Sequence, residues 1–117
     1  MTFNKWIGIG VVSDYPIETH LPNGLVVFEF KLAVDRNANE KDYIPIEMYG
    51  KLINAAKKCI TRGAKVLIEG KLYMDQWKRK GKEMEALKVK AYSFKILEWG
   101  EAFDEENEIL WYPDWYY

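Results

Sequence analysis

Between residues 43 and 49, Ile44, Ile46 and Met48 fall on one side of the chain, and Tyr43, Pro45, Glu47 and Tyr49 on the other. That is the side-chain period of a β-strand, with one face for a core and the other aromatic and polar. The period then changes. Over residues 51–62, Leu52, Ala55, Ala56, Cys59 and Ile60 recur at helical spacing, while Lys51, Asn54, Lys57, Lys58 and Arg62 point elsewhere. This predicts an amphipathic helix of about three turns. Gly63 is expected to end it as a left-handed cap, with Lys57, Lys58 and Arg62 near the negative end of the helix dipole.

The remaining chain reads as strands and turns. Residues 5–12 form a first strand, with Ile7, Ile9 and Val11 on one face and Gly8 and Gly10 on the other; glycines inside a strand mark a bend or the close approach of another backbone. Residues 13–24 form a loop or hairpin ending in the turn signal Pro22-Asn23-Gly24. Residues 25–34 are a long strand, with Val26, Phe28, Phe30, Leu32 and Val34 on one side, and residues 35–42 an exposed hairpin loop. Residues 65–75 are the fourth strand, with Val66, Ile68, Leu72 and Met74 on one face and a bend at Gly70. Residues 76–82 are a turn holding four cations beside Trp77, and residues 83–98 return as the fifth strand. There Leu87, Val89 and Ala91 alternate in one phase but Tyr92, Phe94 and Ile96 in the opposite one, so a β-bulge is expected near Ala91-Tyr92. Five strands, one α-helix between strands 3 and 4, and glycines placed for curvature predict an all-β, five-stranded oligonucleotide-binding (OB) barrel.

The 117 residues give room for one domain with a modest core, and 49% hydrophobic with 30% charged residues is ordinary for a soluble globular chain. Neither a run of about 18 apolar residues nor a secretory signal is visible, so an intracellular, cytoplasmic protein is expected. The single cysteine, Cys59, lies on the apolar helix face and reads as a small core hydrophobe. A net charge of −1 conceals an asymmetry: up to residue 98, 17 Lys and Arg face 12 Asp and Glu, a balance of +5, and the last 19 residues carry −6. The expected organisation is therefore a basic barrel over residues 1–99 and a short acidic, aromatic-rich tail over residues 100–117. That pattern suits a nucleic-acid binder with a competing or partner-directed tail.

Aromatic rings on the outer face of a small barrel form a surface on which flat bases stack, and cations beside them follow the phosphates. Tyr43, Tyr49 and Trp77 are the candidate stacking residues. Lys5, Arg36, Lys51, Lys71, Lys78, Arg79, Lys80 and Lys82 are the candidate phosphate contacts, and Trp6 is either core or a further contact. Catalysis has little to work with: one His, one Cys and two Ser give no adjacent nucleophile and base, and metal-ligand spacing is absent, so no enzyme, metal or cofactor is expected. The alternative function is a protein-interaction OB barrel in a replication or recombination complex.

The ordered set Asn4-Lys5, Asp14-Tyr15-Pro16, Leu21-Pro22-Asn23-Gly24, Phe30-Lys31-Leu32-Ala33-Val34, Tyr49-Gly50-Lys51-Leu52 and Arg62-Gly63-Ala64-Lys65-Val66-Leu67-Ile68-Glu69-Gly70-Lys71-Leu72 resembles the bacterial and phage single-stranded DNA-binding proteins over roughly residues 4–98. The resemblance implies sequence-independent binding and protection of single strands in DNA replication, recombination and repair. It also implies base stacking at the positions of Tyr43, Tyr49 and Trp77, and a homo-oligomer, tetramer or dimer, in a bacterial cell or of phage origin. The chain departs from the family at three places. The short polar loop over residues 35–42 lacks a stacking aromatic, Thr19 and His20 stand where the family often has an Arg and an aromatic, and the long flexible C-terminal linker is missing. The tip, with Trp111, Tyr112, Pro113, Trp115, Tyr116 and Tyr117, is similar in kind to the family's acidic tip that recruits replication and repair proteins.

Overall fold

The computed structural model describes residues 1–101, together with the backbone of residues 103–104 and 109–110. Its elements are β1 (Trp6–Val12), β2 (Ile17–His20), β3 (Val26–Asp35), β4 (Lys41–Tyr49), α1 (Leu52–Cys59), β5 (Lys65–Arg79), β6 (Lys82–Glu98) and a two-stranded hairpin of β7 (Phe103–Asp104) and β8 (Ile109–Leu110). Strands β1, β5, β6, β4 and β3 neighbour one another in that order, and β3 pairs back to β1, so five strands close into a ring. All of these pairings are antiparallel except β4 with β6, which is parallel at Ile46↔Val89 and Glu47↔Lys90. This is the expected OB barrel. The segment left open as a loop or hairpin contributes β2, a short strand hairpinned onto β3, so the helix between the third and fourth barrel strands lies between β4 and β5 in chain order.

Closure depends on a close backbone approach. A Cβ on Gly10 would stand 2.4 Å from the carbonyl oxygen of Ala33, where β1 leaves β5 and pairs with β3 through Val11↔Ala33 and Val12↔Leu32. The glycine face of β1 therefore turns inward, with Trp6 folded over Gly8 and packed against the core. Ile7, Ile9 and Val11 are left exposed. Inside the ring Leu32, Ile46, Met48, Val66, Ile68 and Val89 are wholly shielded from solvent, and α1 adds Ile53 and Ala56. The bulge falls where the phase break places it: Glu69 pairs with Ser93 and Gly70 with Ala91, so Tyr92 is the extra residue, exposed on the outside.

Three expectations need correction. The helix is eight residues long and ends at Cys59, because Ile60 is already extended. Its buried side is Ile53 and Ala56, with Ala55 exposed, and Gly63, at φ +87°, belongs to a separate turn in which the Ala64 N–H donates to the Thr61 carbonyl. Residues 76–82 are not a turn: β5 and β6 continue to Arg79↔Lys82 around the two-residue turn Lys80-Gly81, at φ 51° and 79°. Positive φ at both central residues is the backbone twist a tight hairpin requires. Finally, Met74 and Leu87 are exposed although they continue the core phase of their strands, because this hairpin extends past the end of the barrel.

Candidate nucleic-acid interface

The outer face of β4, β5 and β6 is laid out by register. Lys71 of β5, Lys90 of β6, Glu47 of β4 and Glu29 of β3 stand side by side across four strands. Tyr73 pairs with Lys88, Asp75 with Ala86 and Trp77 with Met84. Since successive side chains of a strand alternate, Lys71, Tyr73, Asp75, Trp77 and Arg79 share this face with Tyr43, Pro45, Glu47 and Tyr49. At about 3.3 Å per residue, Tyr43 and Tyr49 lie about 20 Å apart along β4, and Tyr73 and Trp77 about 13 Å apart along β5.

Glu47 is 6% exposed, the one buried charged residue among the described residues. A carboxylate there must have partners. The Tyr73 hydroxyl donates to its Oε1, as does the Tyr49 hydroxyl at 3.1 Å, and the Lys88 ammonium lies 3.4 Å from its Oε2 and 2.8 Å from Asp75 Oδ2. Lys90 Nζ rests 5.0 Å from the ring centroids of both Tyr49 and Tyr73, and Lys88 Nζ 5.6 Å from that of Trp77, all within cation–π range. Burial and the adjacent Glu47 push both phenols above the usual tyrosine range. For Lys88, burial pulls the ammonium down, but the bond to Asp75 and the charge of Glu47 outweigh it and the balance is upward.

The sequence-derived site residues divide. Tyr43, Tyr49 and Trp77 lie on one face, with Tyr43 54% and Trp77 40% exposed and Tyr49 half-buried. Lys71, Arg79 and Lys82 flank them by phase and register, and Lys80 is in the turn at the tip. Lys78 points to the opposite face, across from Glu83. Lys51 is exposed beside the start of α1. Two cations are already engaged: Lys5 pairs with Glu69 at 3.3 Å, and Arg36 donates to Asp42 at 3.0 and 2.5 Å and to Glu40 at 3.2 Å, closing its own loop. Tyr73, Asp75, Lys88 and Lys90 were missed. The signal for them was the odd phase of β5 and even phase of β6, which the apolar alternation on the other face had overshadowed. The tail residues Trp111, Tyr112, Pro113, Trp115, Tyr116 and Tyr117 lie outside the described residues. The chain leading to them is anchored, because Glu101 accepts from Arg62 at 3.0 and 3.1 Å and its N–H donates to the Arg62 carbonyl.

A five-stranded closed barrel whose outer face interleaves rings with cations defines an OB-fold of the oligonucleotide-binding class. Residues 3–97 match the model of the single-strand binding protein family, and the chain belongs to that family. Among curated proteins it is similar to the single-stranded DNA-binding protein of Thermotoga maritima, at 33% identity over 92% of this chain and 86% of that one. It is also similar to single-stranded DNA-binding protein 2 of Clostridium acetobutylicum, at 32% over 89% and 84%. A third relative is the single-stranded DNA-binding protein of Aquifex aeolicus, at 30% over 80% and 69%.

Proposed function

We propose that this chain binds single-stranded DNA without regard to base sequence and protects it during replication, recombination and repair, acting by binding and not by catalysis. The observation that carries the reading is the joining of Tyr43, Tyr49 and Trp77 with a set of cations on one barrel face, in a chain of this family. Bases stack on the rings while phosphates follow Lys71, Arg79, Lys80 and Lys82, with Lys51 and Lys78 outside that face and Lys5 and Arg36 contributing once released from their carboxylates. The site of action is the cytoplasm or nucleoid of a bacterial cell, for a chain of bacterial or phage origin; among the described residues no helix is long and apolar enough to cross a membrane.

Titrating tryptophan fluorescence with single-stranded and duplex oligonucleotides across a salt series tests this reading. The expected result is quenching and tighter binding by single strands, with affinity falling steeply as salt rises. Equal indifference to both strand forms and to salt would instead mark a protein-interaction barrel. In the same assay, neutralising Lys78, Arg79, Lys80 and Lys82 together should flatten the slope of log affinity against log salt by about 0.7 for each phosphate no longer paired with a cation. A parental slope in that variant would make the hairpin tip a solvated turn.

Self-association is proposed through the outer face of β1, where Ile7, Ile9 and Val11 are 57, 47 and 40% exposed and Leu67 of β5 stands opposite Ile9. A stripe of this kind is apolar surface that a second copy would remove from water. The tail is proposed to dock on replication and repair proteins, its apolar end filling a pocket and its carboxylates meeting a basic rim. In sedimentation, Ile9→Glu should lower the subunit count, whereas cutting the chain after Glu101 should leave both the count and the fold unchanged. The shortened chain should bind DNA at least as tightly, since competing negative charge is gone. Unfolding or weaker DNA binding by that chain would make the tail part of the domain or its assembly.

A further inference from the structure

Glu47 stands in the middle of the face on which the strand is proposed to lie, yet it is a poor choice for stability alone. A buried ion pair is often replaced by apolar residues without any cost in stability, and an anion on this surface repels phosphate. What the carboxylate does here is hold two rings. The hydroxyls of Tyr49, two residues along β4, and of Tyr73, on β5, both donate to its Oε1, and the two strands are separated by β6. One oxygen thus ties rings from two non-adjacent strands. Lys88 takes the other oxygen, which keeps Oε1 for the phenols, and Lys90 lies against both rings at 5.0 Å from each centroid.

We infer that Glu47 is a positioning residue, that Tyr73 is a further DNA-contacting ring, and that Tyr49, Tyr73 and Lys90 form a preset platform for one dinucleotide step of a single strand. The inference rests on the single-strand reading above. Two bases meet two rings whose orientation is set before binding, so less side-chain freedom is lost on association. The ammonium between the rings is placed to meet the phosphate that joins those bases. Aromatic stacking and a backbone cation are the two components of sequence-independent single-strand binding; Glu47 supplies the third, which is order.

The experiment compares parent, Tyr73→Leu, Tyr73→Phe and Glu47→Gln in titrations with an oligo-dT strand, each checked for folding by circular dichroism. Tyr73→Leu should weaken binding on the order of tenfold, as expected for one stacked ring. Tyr73→Phe keeps the ring but removes its bond to Glu47, and Glu47→Gln exchanges charge-assisted bonds for weaker ones to an amide oxygen. Each therefore loosens the rings and should cost roughly two- to fivefold through the restored side-chain freedom. Tyrosinate absorbance reads the positioning directly. The groups facing the two phenols are Glu47 of β4, Glu29 of β3, Asp75 of β5, and Lys88 and Lys90 of β6, and in the parent the phenols ionise later than ordinary tyrosines. In Glu47→Gln they should move down toward the others. A folded Tyr73→Leu protein with parental affinity overturns the ring assignment, and parental affinity in both Tyr73→Phe and Glu47→Gln overturns the positioning role, even should Tyr73→Leu not fold. A parent that binds no oligonucleotide overturns the single-strand reading and this inference with it.

Discussion

Replacing Trp77 and Tyr49 together by alanine is expected to weaken single-stranded DNA binding by about 2–6 kcal/mol, since each stacked ring contributes about 1–3 kcal/mol and separated sites add. The two rings sit on different strands, β5 and β4, which do not pair with each other. Trp77 is on the arm beyond the barrel, 40% exposed, with the Lys88 ammonium 5.6 Å from its ring. Its truncation should leave stability nearly unchanged and act on affinity alone. Tyr49 donates to Glu47, so its removal also takes away one of the carboxylate's partners and should cost some stability as well as affinity. Fluorescence of the remaining tryptophans or a filter-binding titration measures the change. Affinity within a factor of two of the parent in the double variant would remove stacking from the mechanism.

The second large effect is on folding. Lys88→Met should lower stability by about 3 kcal/mol, because removing one member of a buried ion pair leaves the other charge without compensation. The pair is well shielded, with 19% of the Lys88 and 7% of the Glu47 side chain exposed. The effect sits at the lower end of the usual range because Glu47 retains both phenol donors. Adding Glu47→Gln to Lys88→Met should recover more than half of the loss, since the amide oxygen still accepts a hydroxyl while no charge stays buried. Urea unfolding of the two variants decides this. A loss under about 0.5 kcal/mol for Lys88→Met, the size of an ordinary surface change, would show that Glu47 needs no cation. The same groups set the alkaline limit. Tyr49, Tyr73 and Lys88 all have folded pKa values above their ordinary ones, so their contribution is complete below about pH 10 and is lost as pH rises beyond it.

Alternation alone located the five strands of the barrel, because a face buried in a barrel must be apolar at every second residue. The same reasoning located the bulge: Ala91 and Phe94, three residues apart, cannot both face the core without an extra residue, and Tyr92 is that residue. Tyr43 and Tyr49 were legible on the face opposite the core for the same local reason, whereas Trp77 drew notice only as a ring beside a run of cations. The short β2 was ambiguous because Ile17–His20 is too short to show a period. The length of the hairpin was misread because its cations look like a turn, whereas Lys80-Gly81 alone makes it and Trp77 stays on a strand.

What the sequence could not determine is what lies opposite what. Glu47 is two residues from Tyr49 but 26 from Tyr73 and 41 from Lys88, and only closure of β4 against β6 and pairing of β6 with β5 bring the four together. Read along the strand, Glu47 belongs to a solvated face. In three dimensions it is buried, because side chains from two other strands cover it and supply the donors that make an ionised carboxylate tolerable there. Local pattern determines which face a residue takes. Its neighbours across the sheet, and hence its burial and its partners, follow from strand order and register, and these are set by the long-range packing of the whole barrel.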